Sequence, residues 1–432
     1  MKFLETYLFY GLIFLPLALV SGPFLSDFLV SSTSIVFLIV LLKKKIFFDV
    51  TLSNNIFKLF FVWCLYLIFR SLMSEHVLLS LESSLFYFRF GIFVILISYV
   101  CKNQHNFIKY FCISLLITFL VLILDGFFQF IFGFNTIGLT SSSDRISGFF
   151  GNEKILGSYL SRLFPLLFGL FIFSFNKVRY SYFFLFILLI LSDVLIFITG
   201  DRTAFFYLTI FTLIILILSS EYKLLRLFTF TISTILIILI LNIFPQVKER
   251  TLSKTITEFQ IKNNNYSQSK EQGTIEDYIF EKFRFNIFTV SHTKMFLSGI
   301  NIFYDNVFFG TGPKTYRKVC NDDKYIFYDG CQSHPHNSYI QLLSETGIIG
   351  TFPVIFIFCY LIYVFISTFI KRYFLKSTTY PDYTVYLFTA LIITLWPIVP
   401  TGNFFNNWLS IIYYMPIGFL IFFLQNSSIV KK

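Results

Sequence analysis

The chain has 432 residues, 56% of them apolar and 63 of them Phe, with a mean hydropathy of +0.75. Only 13% are charged, about half of the roughly 25% carried by a soluble domain, which excludes a soluble protein and indicates a polytopic membrane protein. The net charge of +11 is no sign of nucleic-acid binding, because its positives sit in short loops, where they orient a chain in the bilayer.

In chain order, apolar runs of spanning length fall at 6–22, 24–42, 56–73, 84–101, 107–133, 155–175, 180–200, 203–220, 225–245, 338–370, 384–400 and 406–425. The expectation is an all-α polytopic membrane protein of about twelve transmembrane helices, with one long periplasmic loop between helices 9 and 10. No signal-peptide cleavage site is expected, and the first run reads as a retained span. With the N-terminus inside, the short inner loops hold Lys43, Lys44, Lys45, Lys102, Lys109, Lys177, Arg179, Lys223, Arg226, Lys371, Arg372 and Lys376, whereas the short outer loops hold only Arg145, Lys154 and Arg202. This bias predicts cytoplasmic termini in a bacterial inner membrane, with both outer motifs and long loop facing the periplasm. The expected division is a transmembrane bundle over 1–245, a periplasmic loop with surface helices over 246–337, and C-terminal transmembrane helices over 338–432. Within the loop, Ser298 to Phe309 is predicted to form one amphipathic helix lying on the membrane surface.

Of six Cys, Cys320 and Cys331 lie in the polar loop, where a disulfide is expected if the compartment is oxidising. No CxxC or HExxH spacing suggests a metal, and none is expected. Gly310-Thr-Gly-Pro-Lys-Thr315 lacks phosphate-loop spacing and reads as a tight Gly-Pro turn; a turn aiming N–H groups at a lipid phosphate stays open. The richest polar stretch is Ser333 to Gly350. Pro335 suits a first helical turn, which places His336 at a helix N-terminus, neutral and able to accept a proton. Asn337, Gln341 and Glu345 recur every four residues and form one polar stripe, while His334 reads as support. Asp201-Arg202 lies between two apolar runs, where an Arg is costly unless paired or bound to an anion, and a guanidinium binds phosphate bidentately. Arg145 offers a second contact. Arg70, Arg89, Arg162 and Asp193 either pair internally or line a cavity.

An ordered series of such motifs resembles the O-antigen ligase and polymerase superfamily over most of the chain. The series is Asp125-Gly-Phe-Phe-Gln-Phe-Ile-Phe-Gly133, Arg145-Ile-Ser-Gly-Phe-Phe-Gly-Asn152, Thr199-Gly-Asp-Arg-Thr-Ala204, Asp305-Asn-Val-Phe-Phe-Gly-Thr-Gly-Pro313, and His334-Pro-His-Asn337 with Glu345-Thr-Gly-Ile-Ile-Gly350. The resemblance implies that His336 is the essential His and Arg202 the first essential Arg. A further Arg of the outer loop corresponds to Arg284 or to the position of His292. It implies a metal-independent, inverting glycosyltransferase without cofactor. The donor is an undecaprenyl-diphosphate-linked glycan and the acceptor lipid A–core or a lipid-linked glycan. His336 then acts on the acceptor hydroxyl, and Arg202 with Arg284 or Arg145 binds the diphosphate; Asn337, His334, His292 and Glu345 complete the expected substrate-binding set. The ligase is favoured, the repeat-unit polymerase is the alternative, and a flippase of about twelve spans is a third reading.

Overall fold

A computed structural model describes residues 1–47, 55–140, 145–253, 256, 288–377 and 380–425. Among these the chain is helical apart from turns and one isolated bridge, Phe134 to Thr140. The helices are α1 (Lys2–Ala18), α2 (Pro23–Lys44), α3 (Asn55–Leu72), α4 (Val77–Ser84), α5 (Arg89–Asn103), α6 (Phe107–Phe132), α7 (Leu156–Phe175), α8 (Ser181–Ile198), α9 (Arg202–Leu218), α10 (Lys223–Ile243), α11 (Val290–Asp305), α12 (Ser338–Tyr373), α13 (Asp382–Thr394) and α14 (Asn407–Gln425). Every one of the twelve apolar runs coincides with a helix. Nine helical stretches among the described residues are long and apolar enough to cross a membrane, α4 and α5 together making one of them. The other three runs are the 17-residue α1 and α9 and the 13-residue α13. At 1.5 Å per residue these reach about 20–26 Å, short of the ~30 Å hydrocarbon thickness.

Helix α7 is the most enclosed: nearly every residue from Leu156 to Ile172 is buried. Helix α13 packs along α7, and α14 packs along α5, so the C-terminal helices share one apolar core with the first ones. Helices α3, α10 and α12 are peripheral and turn residues such as Leu59, Phe228, Phe352 and Phe356 outward, as lipid-facing surfaces do.

The lysine-bearing ends gather at one end of the bundle. Lys44 pairs with Glu5 at 2.6 Å and with Tyr99 Oη at 2.9 Å. Lys109 lies over the Phe175 ring, and Arg372 pairs with Asp382 at 2.9 Å. Arg226, counted from sequence with the loop positives, is instead fully buried in the bundle, 2.8 Å from the equally buried Asp193. Thr212 accepts a 3.0 Å hydrogen bond from its Nε, and Ser233 donates one to Asp193 at 3.0 Å. Of the other intramembrane charges, Arg89 pairs with Asp27 at 2.7 Å.

Helix α12 is broken at Gly347, whose φ of 65° and ψ of −171° lie outside any helix. Backbone freed inside a membrane must find partners within the protein, and residues 306–312 supply them. The amides of Thr311 and Gly312 donate to the carbonyls of Ser344 (3.0 Å) and Glu345 (2.7 Å), while Ile348 N donates to Val307 O at 2.8 Å. Helix α3 completes the repair from one face: Trp63 Nε1 donates to Gly350 O (2.8 Å), Tyr66 Oη to Thr346 O (2.6 Å), and Arg70 to the carbonyls of Phe309 and Gly310. A Cβ at Gly347 would overlap the Phe308 backbone, so glycine is required both for the dihedral and for the approach.

Candidate functional site

Three histidines meet just ahead of α12. The rings of His334 and His336 lie 4.0 Å apart, and the His292 ring stands 5.7 Å from His336, edge on. His292 comes from the first turn of α11, which Thr289 caps by accepting from His292 N. The helix expected from Ser298 thus begins at Val290 and ends at Asp305. Its Thr293, Phe296, Gly299 and Ile302 are buried, and it packs on α12.

The start of α12 also differs from the sequence expectation. The N-cap is Asn337, whose side chain accepts from the amides of Tyr339 and Ile340, as an Asn cap does. Pro335 and His336 therefore precede the helix. His336 adopts φ +52°, an uncommon backbone state for a residue with a Cβ. Its carbonyl accepts from Thr401 N at 2.8 Å, and no hydrogen bond holds its ring among the described residues. Burial, rather than a helix dipole, lowers its pKa below the ordinary histidine value. Burial, then the neighbouring His336, drive His334 down to about 3. Both rings are neutral at pH 7.

Asn337 and Glu345 are committed to the fold. Asn337 also donates to Pro397 O at 2.8 Å. Glu345 is wholly buried and accepts from Lys314 N (2.8 Å), Tyr316 N (3.0 Å) and Gln341 Nε2 (3.0 Å). Glu345 holds the turn at Lys314–Tyr316 against α12. The same bonds occupy the amides of Thr311, Gly312, Lys314 and Tyr316 and leave the Gly-Pro turn no N–H cradle for phosphate. Cys320 and Cys331 form a disulfide, with Cα atoms 5.2 Å apart. It packs in a small core with Ile302 and Tyr316.

The second cluster surrounds the turn between α8 and α9. Gly200 takes φ +72° with the Arg250 guanidinium packed on it, and Arg250 donates to Ile198 O. Asp201 caps α9 by accepting from Ala204 N at 3.1 Å, which leaves Arg202 exposed in the first turn. Arg145 and Arg162 both lie within electrostatic reach of Asp201. Arg162, only 3% exposed, donates to Tyr207 Oη at 3.0 Å and Ser158 Oγ at 3.2 Å. It lies over the Tyr207 and Tyr413 rings, and its Nη1 has no hydrogen-bond partner. The turn thus gathers the guanidiniums of Arg145, Arg162 and Arg250 beside Arg202. From Phe206 of α9 a chain of rings runs through Trp396 and Phe358 to Tyr339, three residues beyond His336 in sequence. Arg284 lies outside the described residues.

Arg250 and Arg317 are the functional candidates that sequence reading passed over. Each sits in a stretch with several charges, where residue type alone singles out none. Among the described residues, no group of three or more His, Cys, Asp or Glu is arranged to hold a metal ion. An open recess of about 470 Å³ between Phe69, Met73 and Phe309 is lined by none of the candidate residues.

Comparison with curated proteins gives no match. Residues 183–355 match the family model described as O-antigen ligase. The matched stretch opens in α8, takes in Arg202, Arg250 and the three histidines, and closes just beyond the break in α12. Residues 183–355 of this multi-pass membrane protein are therefore similar to the O-antigen ligase domain, a family whose members are glycan-transferring enzymes.

Proposed function

We propose that the protein is an O-antigen ligase-like glycosyltransferase that moves a glycan from undecaprenyl diphosphate to an acceptor hydroxyl of lipid A–core at the periplasmic face of the inner membrane. The observation that carries this reading is a neutral His336, held in a strained backbone state, whose ring has no hydrogen bond among the described residues. The neutral ring takes the proton of the acceptor hydroxyl. The hydroxyl oxygen then attacks the anomeric carbon, the bond from that carbon to the phosphate oxygen breaks, and the undecaprenyl diphosphate leaves with the electron pair. A single displacement inverts the anomeric centre. In this reading guanidiniums, not a metal ion, meet the charge on the leaving group: Arg202 and Arg145 directly, with Arg162 behind them. The positive-inside bias supports cytoplasmic termini and an outer site.

The test is lipopolysaccharide banding in a deletion strain complemented with wild type or His336→Ala. Loss of all polymer from lipid A–core, with lipid-linked polymer retained, supports the ligase. A single repeat capped on core assigns the protein to repeat-unit polymerisation instead. Lipid-linked repeats trapped inside the cell mean a flippase and overturn the transfer reading.

A further inference from the structure

Arg317 stands on the short helical turn Tyr316–Val319, and that turn is held on three sides. Tyr316 N donates to Glu345 (3.0 Å), Tyr316 Oη donates to the carbonyls of Met295 (3.0 Å) and Gly330 (2.9 Å), and Cys320 is tied to Cys331. Tyr316 and Cys320 are fully buried, so the backbone that carries Arg317 has little freedom. The side chain itself is half-buried, and its Nε has no hydrogen-bond partner. Its charge reaches His334 and Glu345. Glu345 is no counter-ion, since its oxygens accept from Lys314 N, Tyr316 N and Gln341. No carboxylate pairs with Arg317 among the described residues. Three other cations of this loop are answered, Lys294 by Asp329, Lys314 by Glu82 and Lys324 by Asp305, and Lys318 is exposed to solvent. Within reach of that charge is His334, whose Nε2 is buried without a hydrogen-bond partner and whose ring lies against His336.

A half-buried guanidinium whose Nε is shielded from water without a partner is costly to keep, and its planar fork suits a bidentate oxyanion. We propose that Arg317 and the His334–His336 pair form an oxyanion subsite of the transferase, taking a phosphate or carboxylate group of the substrate. This subsite is built from the disulfide-tied turn and is separate from the guanidiniums around Asp201. The inference rests on the transfer reading and extends it: the reaction has two anion-recognising positions. The group at the second is either a phosphate of the polyprenyl donor or an acidic substituent of the acceptor glycan.

The experiment uses the full chain in nanodiscs, comparing wild type, Arg317→Gln, Arg317→Lys and His336→Ala. The probes are unglycosylated undecaprenyl diphosphate for binding, and lipid A–core from the deletion strain, with that strain's own lipid-linked glycan, for transfer. Arg317→Gln is expected to weaken one of the two interactions about tenfold, the loss of a charge-assisted pair of ~1.4 kcal/mol. Weaker undecaprenyl diphosphate binding assigns the group to the donor. Intact donor binding with a tenfold higher KM for lipid A–core assigns it to the acceptor. Arg317→Lys keeps the charge without the fork and is expected to recover part of the loss, which a packing defect would not do. If Arg317→Gln does not fold, Arg317→Lys decides alone: a raised Kd or KM supports the subsite, and wild-type values overturn it. Wild-type Kd and KM in Arg317→Gln also overturn it. His336→Ala separates the two claims: if it is inactive while Arg317→Gln is normal, only the subsite falls, and if it is fully active, the transfer reading falls.

Discussion

His336 holds φ +52°, a state that costs a residue with a Cβ about 1–2 kcal/mol, and it spends no ring hydrogen bond among the described residues on the fold. Its removal is therefore expected to abolish glycan transfer while protein level and melting temperature stay at wild-type values; the check is complementation with immunoblotting and thermal unfolding of His336→Ala. The pH dependence follows from burial. A base whose pKa is lowered stays neutral below its ordinary value, so the acid limb of the transfer rate is expected to have its midpoint below 6.5, and a midpoint above 7 would exclude His336 as the base. His334 adds a stability effect with a definite sign. Its folded pKa, about 3, lies below the unfolded value of about 6.5. The unfolded chain then binds the extra proton, and stability falls as pH drops from about 6.5 toward 3. His334→Gln should flatten that part of the stability profile. Residue types and spacing made His334, His336 and Arg202 legible, because polar groups at the edge of apolar runs stand out. They did not reveal that Asn337 and Glu345 face inward to cap and clamp. A four-residue repeat shows that side chains share a face, not which neighbour that face meets. Arg317 was hidden among Lys314, Lys318, Asp322 and Asp323, and only the disulfide-tied turn singles it out.

Helix positions followed hydropathy closely, since every apolar run of the sequence lies on a helix. Helix ends did not, because caps decide them: Asn337 delays α12 past Pro335, and Thr289 starts α11 at Val290 rather than near Ser298. The break at Gly347 was invisible, as an apolar run reads the same whether its backbone is continuous or not. Gly347→Ala is expected to cost about 1–2 kcal/mol in backbone strain, with overlap at the Phe308 carbonyl in addition. The melting temperature in detergent should fall, and activity with it. Trp63→Phe removes a single donor to Gly350 O and should cost about 1–3 kcal/mol for the carbonyl left unsatisfied. If Trp63→Phe melts as wild type, the view that α3 repairs the broken helix is wrong.

At the scale of the whole molecule, charges sort by depth. Lys44, Lys109 and Arg372 collect at one end of the bundle, and within it the buried Asp193–Arg226 pair ties α8 to α10. Arg226→Met alone leaves a buried carboxylate and should destabilise by about 3–5 kcal/mol, whereas Asp193→Leu with Arg226→Met should recover most of that loss; a double-mutant cycle on thermal unfolding checks it. The interlock of residues 306–312 with α12 has a further consequence, for the order of assembly. During synthesis that segment emerges well before Ile348 and Ile349, the residues whose amides it receives. It must wait, unpaired, until the chain some forty residues later has entered the bilayer. The loop that carries His292, Arg317 and the disulfide is thus expected to lock only after the first half of α12 has been made.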